Sequence, residues 1–165
     1  MTTKKVTAER VTFVSNRPFE EILTRLDEGI GRPNFAEFSR RMNAAANFQE
    51  YSSIVHGAVG SADLVEFVRL DLGAVLRKDP AAAAYKIVRI IAGNPLIMKQ
   101  MVEHVADAGS YAPVTILVYE QKDGVHVSYD SMASYLADCG SEKALQVARD
   151  LDAKVIRLLE DATGA

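Results

Sequence analysis

Five short stretches of the chain are rich in β-branched and aromatic residues, and the segments between them carry apolar residues every three to four positions. The first pattern is that of strands and the second that of amphipathic helices. Lys5 to Ser15 reads as a first strand. A helix follows, with Ser15 and Asn16 as caps, Pro18 in its first turn and Phe19, Ile22, Leu23 and Leu26 at helical spacing. Gly29-Ile30-Gly31 ends it. From Asn34 a long helical stretch runs to Gly57–Gly60, with a break expected near Asn47.

Leu64 to Leu72 and Tyr85 to Ala92 read as strands only about twelve residues apart, so the simplest pairing is antiparallel. Gly93-Asn94-Pro95 turns the chain into a helix from Leu96 to about Ala108, which Gly109 stops. Val114 to Glu120 and Val125 to Tyr129 flank Lys122-Asp123-Gly124, a strong hairpin signal. Ser131 to Asp138 predicts a short helix. Ser141 to about Ala162 predicts a long amphipathic one with Ala144, Ala148, Leu151, Val155 and Leu159 in its stripe. The pattern predicts an α+β fold in a single domain over residues 1–165: an antiparallel sheet of about five strands with helices packed on one face.

Composition narrows the function classes. The 165 residues include 48% hydrophobic and 25% charged residues, ordinary globular usage. Nineteen basic residues are scattered among 22 acidic ones, for a net charge of −3, which argues against an electrostatic nucleic-acid binder. One cysteine, Cys139, permits no intrachain disulfide and no Cys-rich metal site. The amino-terminal lysines precede no apolar run, and no stretch is long and apolar enough to span a bilayer, so the expected compartment is the cytoplasm.

Ile90-Ile-Ala-Gly-Asn-Pro-Leu-Ile-Met-Lys99, then Ala112-Pro-Val-Thr-Ile-Leu-Val-Tyr-Glu120, then Gly124-Val-His-Val-Ser-Tyr-Asp130 and a final helix form a recognisable order. This order resembles the domain of unknown function 302 family over roughly residues 60–160, with the stretch at 34–60 as a helical insertion. The resemblance implies a sheet of the TATA-binding-protein-like or helix-grip kind and a homodimer. It carries over no catalytic residues.

Several constellations bear on chemistry. Gly93-Asn94-Pro95 offers exposed amides to an anion, but Leu96 to Met98 supply no phosphate-binding sequel, so a helix cap is the plainer reading. Arg69 and Arg89 lie on neighbouring strands, and pairing would let both project from one face; Asp71 or Glu66 offers a structural alternative as an ion-pair partner. His56, His104 and His126 are too far apart for a zinc site. His104 with Met98 or Met101 has ligand types suited to haem, against a core-packing reading of the same residues. Alternation places His126, Ser128 and Asp130 on one face, which makes His126 with Asp130 the pair to test for acid–base work, against a solvated hairpin face.

The leading expectation is a homodimeric binding module for a small anionic or amphipathic molecule, with Arg69, Arg89, Tyr119 and His126 as polar contacts and no metal or cofactor. A cofactor-free enzyme using a histidine, or a haem protein, is the alternative.

Overall fold

The computed structural model describes residues 1–165. In chain order the elements are β1 (Arg10–Ser15), α1 (Phe19–Gly29), β2 (Ile30–Gly31), α2 (Phe35–Ala44), α3 (Phe48–His56), β3 (Leu64–Asp71), β4 (Ile87–Gly93), α4 (Pro95–Val102), β5 (Val114–Gln121), β6 (Gly124–Asp130), α5 (Met132–Leu136) and α6 (Glu142–Thr163). The fold is α+β, with one six-stranded sheet in the order β1-β6-β5-β4-β3-β2.

The expected β3–β4 antiparallel pair and the β5–β6 hairpin are both present. The sixth strand was not expected. Gly29-Ile30-Gly31 does more than end α1: Ile30 and Gly31 pair in parallel with Leu64 and Val65, which makes the sheet mixed. Two glycines allow this. A Cβ at Gly31 would fall 1.9 Å from the Ala58 carbonyl oxygen, and one at Gly60 2.3 Å from that of Gly29. The two backbones meet at a separation that only glycine tolerates.

The expected break near Asn47 separates α2 from α3, and the Asn47 side chain accepts from Glu50 N at 2.9 Å to start α3. Pro18 is itself the capping position of α1. The helix after Gly93-Asn94-Pro95 ends at Val102, short of Gly109, and a 3₁₀ turn over Ala106–Ser110 follows.

The main core joins Ile22 and Leu26 of α1, Ile90, Ile116, Val118 and Val127 of the sheet, and Ala148, Val155 and Leu159 of α6. Each large aliphatic side chain buried there contributes about 1.5–3 kcal/mol. Leu64 belongs to this core, whereas its neighbour Val65 packs with Phe38, Ile54 and Val55 of α2 and α3. Successive strand residues point to opposite faces. Helices α2 and α3 therefore cover one end of the sheet's reverse side, so the helices are not confined to one face. The rest of that reverse side is open.

Candidate functional site

The register fixes which side chains share the open face. One row across the strands runs Leu70, Arg89, Leu117, Ser128 and Thr12. The next runs Ile87, Tyr119, His126 and Val14. Arg69 pairs with Ile90, which belongs to the buried core. The expectation that Arg69 and Arg89 project from one face is overturned: adjacent strands bring the residues together, but their positions are out of phase by one, and one residue in a strand exchanges faces.

Arg69 lies on the helix side. Its guanidinium grips Asp27 of α1 and Glu66 of its own strand. Burial opposes its charge, but the two carboxylates outweigh burial and hold its pKa above the usual arginine value. The structural ion pair offered as the alternative thus applies to Arg69, with Asp27 as a partner that sequence spacing did not single out.

Arg89 differs. It is exposed, and its Nη2 donates to Thr115 Oγ1 at 3.2 Å. It borders a cleft of about 480 Å³ at the end of the open face where β5 begins. Thr115, Leu117 and Ser128 lie along the floor, and Tyr111 and Tyr135 form a wall. The two tyrosine rings stack at 4.6 Å between centroids and 3° between planes. Ser128 is only 4% exposed, yet no group of the chain hydrogen-bonds its hydroxyl, whose oxygen retains access to the cleft.

Arg10 and Asp130 close the rim through two bonds, Nε to Oδ1 at 2.6 Å and Nη2 to Oδ2 at 2.8 Å. Tyr135 adds a weaker hydroxyl donation to Asp130 at 3.3 Å. The hydrogen bond from Arg10 holds the Asp130 carboxyl below the usual carboxylate range. Partial burial, then the neighbouring Asp130 charge, pushes the Tyr135 phenol up. The Arg10–Asp130 rim therefore stays ionised and Tyr135 neutral at ordinary pH. The cleft offers one cation without a carboxylate partner, one unsatisfied hydroxyl and a flat aromatic surface.

Tyr119 and His126 lie on the same open face but in the neighbouring row, about 7 Å along the strands from Arg89 and Ser128, and do not line the cleft. Their rings are 5.1 Å apart. His126 and Asp130 share a face, as expected, but do not bond each other. His126 Nε2 instead meets Asp123 Oδ1 of the hairpin turn at 2.9 Å, and Asp130 is taken by Arg10. The cleft residues missed by sequence reading are Arg10, Tyr111 and Tyr135. No local pattern marks them, because a strand start, a turn and a short helix supply them separately.

Gly93-Asn94-Pro95 forms a cap. Asn94 Oδ1 accepts from Leu96 N at 2.8 Å, and its Nδ2 donates to the Asp63 side chain at 2.9 Å and the Asp63 carbonyl at 3.1 Å. Asp63 has φ of 60°, and Asn94 and Lys154 together hold that left-handed conformation. The haem ligand set does not converge: Met101 is packed in the core, while His104 is exposed beside Glu103 and does not border the cavity that Met98 and Met101 line. No three His, Cys, Asp or Glu side chains are grouped so as to hold a metal ion, and no helix is long and apolar enough to cross a membrane.

A crystal structure of an uncharacterized conserved protein DUF302 from Bacillus stearothermophilus superposes with a TM-score of 0.64. The match covers 93% of this chain and 97% of that one at 10% sequence identity, a likeness of fold alone. No curated protein matches the chain. The profile described as "Domain of unknown function DUF302" matches residues 38–162, a range that takes in α3 and most of α2 as well as the segment from β3 to α6. By that match the chain belongs to the DUF302 family.

Proposed function

We propose that this chain is a binding module, and that the cleft on its open sheet face takes a small, flat molecule carrying a carboxylate or similar anion. The observation that carries this reading is the Arg89 guanidinium, which has Thr115 but no carboxylate as a partner, beside the nearly buried and unbonded Ser128 hydroxyl. A guanidinium favours planar anions. A nearly buried hydroxyl without a partner is a vacancy that a ligand acceptor or donor fills. The stacked tyrosines supply a surface for an aromatic ring, and the volume is within the range of small-molecule sites. We place the fold with the helix-grip arrangements, the sheet lying against the long α6.

Thermal-shift measurement with benzoate and its hydroxylated relatives tests this reading. Stabilisation of the wild type, lost in Arg89→Ala and weakened in Ser128→Ala, is the expected result. No response from the wild type, or an equal response from both variants, overturns it.

A second reading is a homodimer that buries the same face. The exposed Val14, Val68, Leu70 and Leu72 favour it, since a monomer gains nothing by leaving such side chains to water. Light scattering on the wild type and on Leu70→Glu separates the two readings. A dimer that the substitution splits supports the interface, and a monomeric wild type removes it.

A further inference from the structure

On the side of the sheet covered by α2 and α3, the two hydrophobic clusters do not close on each other. Between them lies a cavity of about 310 Å³, lined by Met42, Tyr51, Phe67, Met98, Met101 and Leu151 among others. Nine of its fourteen lining residues are hydrophobic. Methionines adapt to whatever fills such an apolar recess.

A second apolar groove shares Tyr51, Pro95 and Met98 with this cavity and carries it outward to Phe48 and Lys99. Phe48 is 59% exposed at the outer end, with the Lys99 ammonium 5.6 Å from its ring centre. Lys99 also pairs with Glu103, but both side chains are nearly half exposed. Such a pair is worth little and is readily exchanged. The arrangement is an oily slot with a cation at its mouth.

We propose that this slot binds an aliphatic carboxylate, with the hydrocarbon chain between α3, α4 and the sheet and the carboxylate at Lys99. The slot borders the open-face cleft at Pro113 and Val114, which line both, but it uses neither Arg89 nor Ser128. Its polarity sets the ligand class. Met42, Phe67 and Met98 offer no hydrogen bond to a sugar or nucleotide, and the single cation is outside the cavity. Chain length is then read directly, because each methylene buried strengthens binding about fourfold.

Titration calorimetry with hexanoate, octanoate and octanol tests the proposal on the intact chain. Octanoate is expected to bind about fifteenfold more tightly than hexanoate. Lys99→Ala should weaken octanoate at least threefold while leaving octanol unchanged. Met98→Trp, which fills the slot, should abolish both. Arg89→Ala should change neither, and that result separates this site from the open-face cleft. If Met98→Trp does not fold, Lys99→Ala on the exposed surface still decides. No binding to the wild type, no dependence on chain length, equal binding of octanoate by wild type and Lys99→Ala, or octanoate binding lost in Arg89→Ala would each overturn the proposal.

Discussion

The Tyr129 hydroxyl donates to Asp152 Oδ1 across 2.5 Å, joining the last strand to the long C-terminal helix inside the core. Asp152 is 7% exposed and accepts three further bonds: from Ser131 Oγ at 2.6 Å, Met132 N at 2.8 Å and Ala133 N at 3.0 Å. One carboxylate from α6 thus caps the first turn of α5, a five-residue helix too short to hold itself.

Removing that carboxylate strands four donors. Asp152→Ala should cost about 3 kcal/mol in urea unfolding, and Tyr129→Phe about 1 kcal/mol, since the carboxylate then keeps three of its four partners. Equal small losses from both substitutions would show that the network is not the joint described here.

The same pair sets an alkaline limit. Burial, and then the Asp152 charge, pushes the Tyr129 phenol well above its ordinary value. The unfolded chain releases this proton near pH 10 while the folded chain keeps it. The contribution is therefore fully present below about pH 10 and is lost as pH rises beyond it, at about 1.4 kcal/mol per pH unit from this one group. Denaturant midpoints measured from pH 9 to 11 should fall more steeply in the wild type than in Tyr129→Phe.

Arg69 and Arg89 should separate in stability. Arg69→Ala leaves Asp27 and Glu66 with only the half-exposed Arg32 as a shared cation, and Glu66 is 11% exposed in its side chain. A loss of about 2 kcal/mol is expected. Arg89→Ala, on the exposed face, should stay within about 0.5 kcal/mol of wild type. Urea midpoints check both, and a large loss at Arg89 would place it in the framework instead of the cleft.

Gly124 closes the β5–β6 hairpin with φ of 138°, and a Cβ there would fall 2.7 Å from the Ser15 carbonyl oxygen of the neighbouring strand. Gly124→Ala should cost about 2 kcal/mol, from the φ alone and from the clash. Thermal unfolding by circular dichroism reads the drop.

The elements themselves were legible because their causes are local. Alternation marked β5 and β6 about an Asp-Gly turn, side-chain caps at Asn34, Asn47, Asn94 and Ser141 marked helix starts, and a regular apolar stripe marked α6. The two-residue β2 was not legible, since nothing in Gly29-Ile30-Gly31 distinguishes a helix stop from a strand laid against residues more than thirty positions on.

The candidate site divides along the same line. Sequence alone singled out Arg89 as an arginine among apolar strand neighbours and put His126, Ser128 and Asp130 on one face. The partner of each was decided in three dimensions. A bulge between Glu66 and Val68 and the register beyond it turned Arg69 toward α1, while β1 brought Arg10 to Asp130 and a turn and a short helix brought Tyr111 against Tyr135. Periodicity determines which way a side chain points within its own element, because the backbone repeat is local. Which charges and rings then meet depends on strand register and helix placement, and those are set by packing between segments far apart in the chain.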